Sequence, residues 1–195
     1  MYLDYLPHIE NDLPPASGRS LIASPFLKDP YFLRSVVYLC DYNEKGCFGF
    51  VLNKLFHQPL NELIPDTFDK ELKVYIGGPV EPETIHFIHQ YPELIADGVE
   101  VEKGVYWGGN FEKLTALINA GQVDMKYIKF FLGYAGWNPG QLEEELKEES
   151  WIVSESKKKL LFNKRRGQAV WEDYLTSLGE AYEMMKNFPI DPSLN

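Results

Sequence analysis

The chain has 195 residues, 45% of them hydrophobic, with a net charge of −10 and a pI near 4.9. That length supports one substantial core, and the acidic balance opposes the phosphate neutralisation on which nucleic-acid affinity rests. The absence of a run of about 20 apolar residues, of a signal-peptide pattern and of a cysteine framework leads us to expect a soluble cytoplasmic protein without membrane contact.

In chain order, Pro7, Pro14 and Pro15 predict an N-terminal arm over residues 1–17, with a single ordered domain following. "RSLIAS" reads as a buried strand. "SVVYLCDY", "NEKG" and "CFGFVLNK" read as a hairpin with Gly46 ending its turn. In that hairpin Tyr42 is expected to face Cys47 and Cys40 to face Gly49, which leaves the two thiols diagonal on one face and near or beyond disulfide reach. "LKVYIGG" and "TIHFIH" predict further strands, "NFEKLTALINAG" a helix ending at Gly121, and "MKYIKFFLGY" another strand. "WIVSE" and "KLLF" are read as a last strand pair. Val170, Tyr174, Leu175, Leu178, Tyr182 and Met185 mark a long amphipathic helix over about 168–186. The irregular alternation of these elements predicts an α+β fold rather than a doubly wound sheet.

The stretch "FLGYAGWNPGQLEEEL" joins an apolar run to an acidic one. We read it as a strand-to-helix corner: Asn138 as cap, Pro139 at the first helical position and Gln141 as capping-box partner, with Glu143, Glu144 and Glu145 in the opening turns. Gly133 and Gly136 permit close backbone approach, and Trp137 braces the bend.

This stretch resembles the signature of the YqgE/AlgH family of bacterial proteins. "ASPFLKDPYFLRSVVYLCDYNEKGCFGFVLNK", "VYIGGPV", "IHFIH", "GVYWGG" and the terminal "PSLN" fit the same family in order. The resemblance implies an α+β fold whose mixed, largely antiparallel sheet is partly closed and barrel-like and flanked by helices, with no established biochemical activity. Members carry the label of transcriptional regulators, which so acidic a chain supports poorly as direct DNA binding. The family pattern falls on Asp29, Arg34, Ser35, Asn53, Gly77, Gly78, Pro79, His89, Trp107, Gly108, Gly109, Gly133, Tyr134, Gly136, Trp137, Gly140, Gln141, Glu143 and Glu145, while "KLFHQPL" after Asn53 departs from it.

No reaction is legible. There is no G-x-S-x-G elbow, and Ser35, His89 and Asp29 supply the residue types of a triad without a spacing that joins them. His86 and His89 on a strand face opposite ways and do not make a metal pair, and no cofactor fingerprint occurs. Gly108, Gly109 and Asn110 before a helix invite an anion-site reading. Asp29 is expected to pair with Arg34 or to cap the turn at Pro30.

Three readings follow. The first is a non-enzymatic regulatory or interaction protein, with an unknown protein partner on a surface gathered from residues 133–141, 77–80 and 107–109. The second is a small anionic-ligand-binding protein or hydrolase-like enzyme using the glycine turns with Arg34 or His89. The third, ranked last, is DNA contact through the basic segment "KKKLLFNKRR", residues 157–166, which otherwise reads as a solvated loop.

Overall fold

The structure is a computed structural model and describes residues 11–163 and 167–189. Nine strands form one sheet: β1 (Arg19–Ala23), β2 (Val36–Asn43), β3 (Gly46–Val51), β4 (Val74–Ile76), β5 (Val80–His89), β6 (Val99–Glu102), β7 (Val105–Trp107), β8 (Ile128–Trp137) and β9 (Trp151–Glu155). The path runs β6-β7-β5-β8-β3-β2-β1-β9, with β4 parallel to β8 beside it and every other pairing antiparallel. The fold is therefore α+β with a mixed, largely antiparallel sheet, whose path ends at β6 and β9 without closing.

Among the described residues six α-helices pack around it: α1 (Leu60–Leu63), α2 (Phe111–Asn119), α3 (Gln141–Lys147), α4 (Lys158–Leu161), α5 (Gln168–Leu178) and α6 (Glu180–Glu183). Strand alternation divides the apolar side chains among three clusters. Ile22, Tyr38, Phe50 and Phe131 face Trp171, Tyr174 and Leu175 of α5. Leu21, Val37 and Val51 face Leu142 of α3 with Trp137 and Trp151. Phe87, Phe130 and Leu132 face Leu114, Leu117 and Ile118 of α2. The Trp171 indole is fully buried and donates to the Ala23 carbonyl at 2.7 Å, so α5 is pinned to β1 by a satisfied polar group as well as by area.

Four sequence expectations are corrected. The C-terminal amphipathic helix is not continuous: Gly179 (φ 110°) breaks it between α5 and α6, and a 3-10 turn over Met184–Asn187 follows. "KLLF" is not a strand; Lys158–Leu161 is helical, and β9 pairs with β1 instead. The hairpin pairs Tyr42 with Cys47 as expected, but a β-bulge between Leu39 and Asp41 makes Leu39, not Cys40, the partner of Gly49. The bulge sends Cys40 into the α5 core and Cys47 to the opposite face, so the thiols do not share a side. Finally, α3 begins at Gln141 after Gly140 (φ 79°), so Asn138 is not its cap.

Of the N-terminal arm, Asn11 bonds the carbonyl of Trp151 and the N–H of Val153 at 3.0 and 2.7 Å. Residues 1–10, the terminal "PSLN", and Lys164, Arg165 and Arg166 of the basic segment lie outside the described residues. Two of the described lysines of that segment are taken up locally: Lys157 donates to the Ser177 carbonyl at 3.3 Å and Lys158 to that of Lys103.

Candidate functional site

The pairing of β8 creates a groove. Residues 128–132 of β8 pair with β5, but a bulge carries Glu81–Thr84 away, leaving only Val80 opposite Tyr134. Further along, Ala135, Gly136 and Trp137 pair with Gly49, Phe48 and Cys47 of β3. The β2–β3 hairpin and the end of β8 thus project past β5, with Trp107 of β7 alongside. Gly136, opposite Phe48, has no side chain to fill the space between them.

The result is an open cavity of about 650 Å³, lined by Asp41, Asn43 and Lys45 of the hairpin turn, by Cys47 and Phe48, and by Val80, His86, Trp107, Tyr134, Gly136, Trp137 and Asn138. Its apolar wall is a chain of rings: Phe48 lies 4.8 Å from Trp107 and 5.9 Å from Tyr134, both edge-on, and His86 lies 5.9 Å from Tyr134. The half-buried His86 keeps its Nε2 without a partner. Burial lowers its pKa, against a smaller opposing pull from Glu81, so near neutrality it is an uncharged, unsatisfied polar group in an aromatic wall. Burial, reinforced by Glu143, Glu145 and Asp41, pushes the Cys47 thiol up to about 12, which keeps it protonated near neutral pH. A smaller apolar cavity of about 300 Å³ adjoins at His86 and Trp107 and includes Gly108 and Gly109.

Of the residues singled out in the sequence, the groove collects Trp107, Tyr134, Gly136 and Trp137. Trp137 is itself buried: its indole, like that of Trp151, is held by Glu145 of α3. Gln141 braces the same corner, accepting from the Asn138 N–H at 3.0 Å and donating to Glu145 at 3.0 Å. That is one half of the expected capping box, realised one turn earlier than the helix start. Gly77 and Gly78 are close-packing residues; a Cβ on either would strike the backbone of Gly133 or Tyr134. Pro79 is exposed beside Val80, and Gly140 supplies the left-handed turn into α3.

Other candidates belong to the fold. Asp29 does not pair with Arg34; its Oδ1 accepts from the N–H of Tyr31 and of Phe32 at 2.7 and 3.2 Å, capping the turn after Pro30. The Arg34 guanidinium is buried 4.0 Å over the Trp171 ring and donates to the carbonyls of Met185 and Phe188. Asn53 takes the Val36 N–H and donates to the carbonyls of Arg34 and Gly167 at 2.8 and 3.0 Å. His89 is fully buried; its Nδ1 accepts from the Tyr91 N–H at 3.1 Å, so its Nε2–H donates to the Gly108 carbonyl at 3.0 Å.

Neither Arg34 nor His89 lines the groove, which removes the charged contacts on which the anionic-ligand reading depended. Ser35 donates to the Phe32 carbonyl at 2.7 Å, so the Ser35–His89–Asp29 trio does not assemble. The N–H groups of Gly108 and Asn110 are taken by the Phe87 and Ala96 carbonyls, each at 2.9 Å, and cradle no anion. Among the described residues no group of three or more His, Cys, Asp and Glu side chains could hold a metal ion.

The AlgH-like family model matches residues 20–183. The chain belongs to this family. Relatives include UPF0301 proteins of Cytophaga hutchinsonii, 39% identical over 91% of this chain and 98% of the relative, and of Parabacteroides distasonis, 40% identical over 95% and 94%. The solution structure of AlgH from Pseudomonas aeruginosa superposes with a TM-score of 0.70 at 26% identity, covering 92% of this chain and 98% of that one. A crystal structure from Corynebacterium diphtheriae gives the same TM-score at 22% identity over 90% and 94%, a likeness of fold alone. The family carries no established biochemical function. Among the described residues of this AlgH-like chain no helix is long and apolar enough to cross a membrane.

Sequence reasoning missed His86, Phe48 and the hairpin turn as groove residues. Their signal was the spacing of Phe48 opposite Gly136, which becomes visible only once β3 is known to pair with β8.

Proposed function

We propose that this AlgH-like protein is a non-enzymatic cytoplasmic interaction protein, regulatory in role, whose partner-binding surface is the aromatic groove. One observation carries the reading: four segments far apart in the chain, at 41–48, 80–86, 107 and 134–138, converge on a single open cavity walled by aromatic rings. Aromatic side chains beside exposed backbone and a polar rim are the composition of binding hot spots. The rim also indicates the partner. Asp41 lines the groove and Glu81, exposed next to Val80, acts on His86, against the single lining cation Lys45; in a chain of net charge −10 this steers a segment that presents an aromatic or apolar anchor flanked by basic residues. Regulation would then be exerted through a protein and not through DNA.

The test is site-specific photocrosslinking in cells from Asn43 and Lys45 at the groove, with Lys70, remote from it, as control. Discrete adducts formed only from the groove positions, and lost when Gly136→Val fills its floor, support the reading. The same adducts from Lys70, or adducts that survive Gly136→Val, contradict it.

A further inference from the structure

A second cavity, of about 350 Å³, shares no lining residue with the aromatic groove. It lies between the loop at 70–73, β4, the turn at 124–126, the start of β8 and residues 162–163, and Lys129 lines it. Lysine is an unexpected residue here. Lys129 sits mid-sheet opposite Ile88, on the same strand face as Phe131, and is 5% exposed. Buried charges are normally paired, yet among the described residues no carboxylate pairs with it. Its Nζ stands 4.1 Å from the centre of the Tyr75 ring and 3.4 Å from the Leu161 carbonyl. The ring face favours an ammonium, but one long bond and one ring do not replace a hydration shell. Burial accordingly pulls the Lys129 pKa down to about 7. A methionine would fill the same space without the cost of desolvating an amine.

We propose that Lys129 and this cavity form a binding site for a small carbonyl compound bearing an anionic group, which Lys129 captures as an imine. A desolvated lysine carries a free lone pair near neutral pH, the state that attacks carbonyl carbon. The Nζ lone pair forms the C–N bond, and the carbonyl oxygen takes up a proton as nitrogen loses one. The resulting hydroxyl then leaves as water, carrying the second proton of the nitrogen, as the nitrogen lone pair closes the C=N bond. The basic side chains of Lys70, Lys73 and Lys126 line the cavity against the carboxylates Glu71 and Asp124, and Lys126 is paired with Asp124 at 2.9 Å. In a chain this acidic, that excess of positive charge at one cavity is what an anionic group would meet.

The experiment uses the full chain and pyridoxal 5′-phosphate and glyoxylate as anionic aldehyde probes, with uncharged pyridoxal as comparison. Each is incubated near neutral pH, trapped with borohydride and mapped by peptide mass spectrometry. Lys129 is expected to be modified first, at least roughly tenfold faster than exposed lysines outside the cavity such as Lys113, because far more of it is free base. The anionic probes should react there faster than pyridoxal. Adducts spread over exposed lysines with Lys129 unmodified would overturn the proposal, and equal rates with charged and uncharged probes would overturn its anionic part. The wild-type map decides without a variant. Lys129→Met, checked for folding by circular dichroism, should lose the fast adduct and keep the slow ones.

Discussion

Trp137 and Trp151 donate their indole N–H groups to the same atom, Oε2 of Glu145, at 2.9 and 2.7 Å, with their rings edge-on at 5.9 Å. One carboxylate from α3 thus ties the end of β8 to the start of β9, and Phe32 packs against both rings. This is the physical reason a glycine-rich corner holds its shape beside the groove.

Glu145→Ala should leave two indole donors unpaired, and at about 1 to 3 kcal/mol for each unsatisfied group a loss of roughly 2 to 6 kcal/mol is expected. Glu145→Gln keeps one acceptor oxygen and should lose less than half as much. Urea denaturation of the two variants checks the order, and equal losses would show that charge, not hydrogen bonding, holds the corner.

Arg34 fixes the C-terminal segment. Its guanidinium joins Trp171 of α5 to the carbonyls of Met185 and Phe188. Arg34→Ala should destabilise the chain by about 3 kcal/mol or more, since it removes a stacked, buried, hydrogen-bonded group. It should also open residues 180–189 to limited proteolysis before the sheet is cut. Arg34→Lys should restore little, because an ammonium neither stacks nor spans two carbonyls. Cleavage at unchanged rate in Arg34→Ala would contradict the anchoring role.

Lys129 makes stability depend on pH in a stated direction. Its folded pKa, about 7, lies below the unfolded value, so between the two the unfolded state binds the extra proton. The penalty for burying the ammonium is therefore full below about pH 7 and fades as pH rises towards about 10. Lys129→Met should accordingly be more stable than wild type near pH 6, with its advantage shrinking by roughly 2 to 3 kcal/mol near pH 9. Denaturation of both proteins at each pH measures this, and a difference independent of pH would contradict it.

The elements that the sequence made legible are those whose pattern is local. The strands around Val36–Asn43 and Gly46–Val51 are β-rich runs joined by a turn sequence, and α2 carries the apolar face of Leu114, Leu117 and Ile118. What was not legible depended on pairing geometry, on backbone conformation or on partners distant in the chain. The bulge at Cys40 is set by how β2 meets β3, not by turn residues. The break at Gly179 was hidden because apolar spacing runs straight across it. Glu145 read as one of three acids in the opening turns of a helix until the fold brought two indoles to it. Trp107, Tyr134, Gly136 and Trp137 were found through family resemblance, whereas Phe48 and His86 join them only through the β3–β8 and β5–β8 pairings. Arg34, Asn53 and His89 carry equally conspicuous polar groups, and the fold turns them to its own carbonyls and N–H groups, leaving the Arg34 Nε without a partner.

The most direct test of the groove is a backbone and indole NMR titration with a short blocked peptide, Arg-Trp-Arg, against its acidic counterpart Glu-Trp-Glu. The account predicts saturable shifts at Phe48, His86, Trp107 and Gly136 with the basic peptide, at a dissociation constant of ~1 mM or tighter. Binding of the acidic peptide should be much weaker, and Gly136→Val should abolish the shifts while leaving the fold intact. Shifts elsewhere on the surface, or equal binding of both peptides, would contradict the assignment of this groove as the partner-binding site.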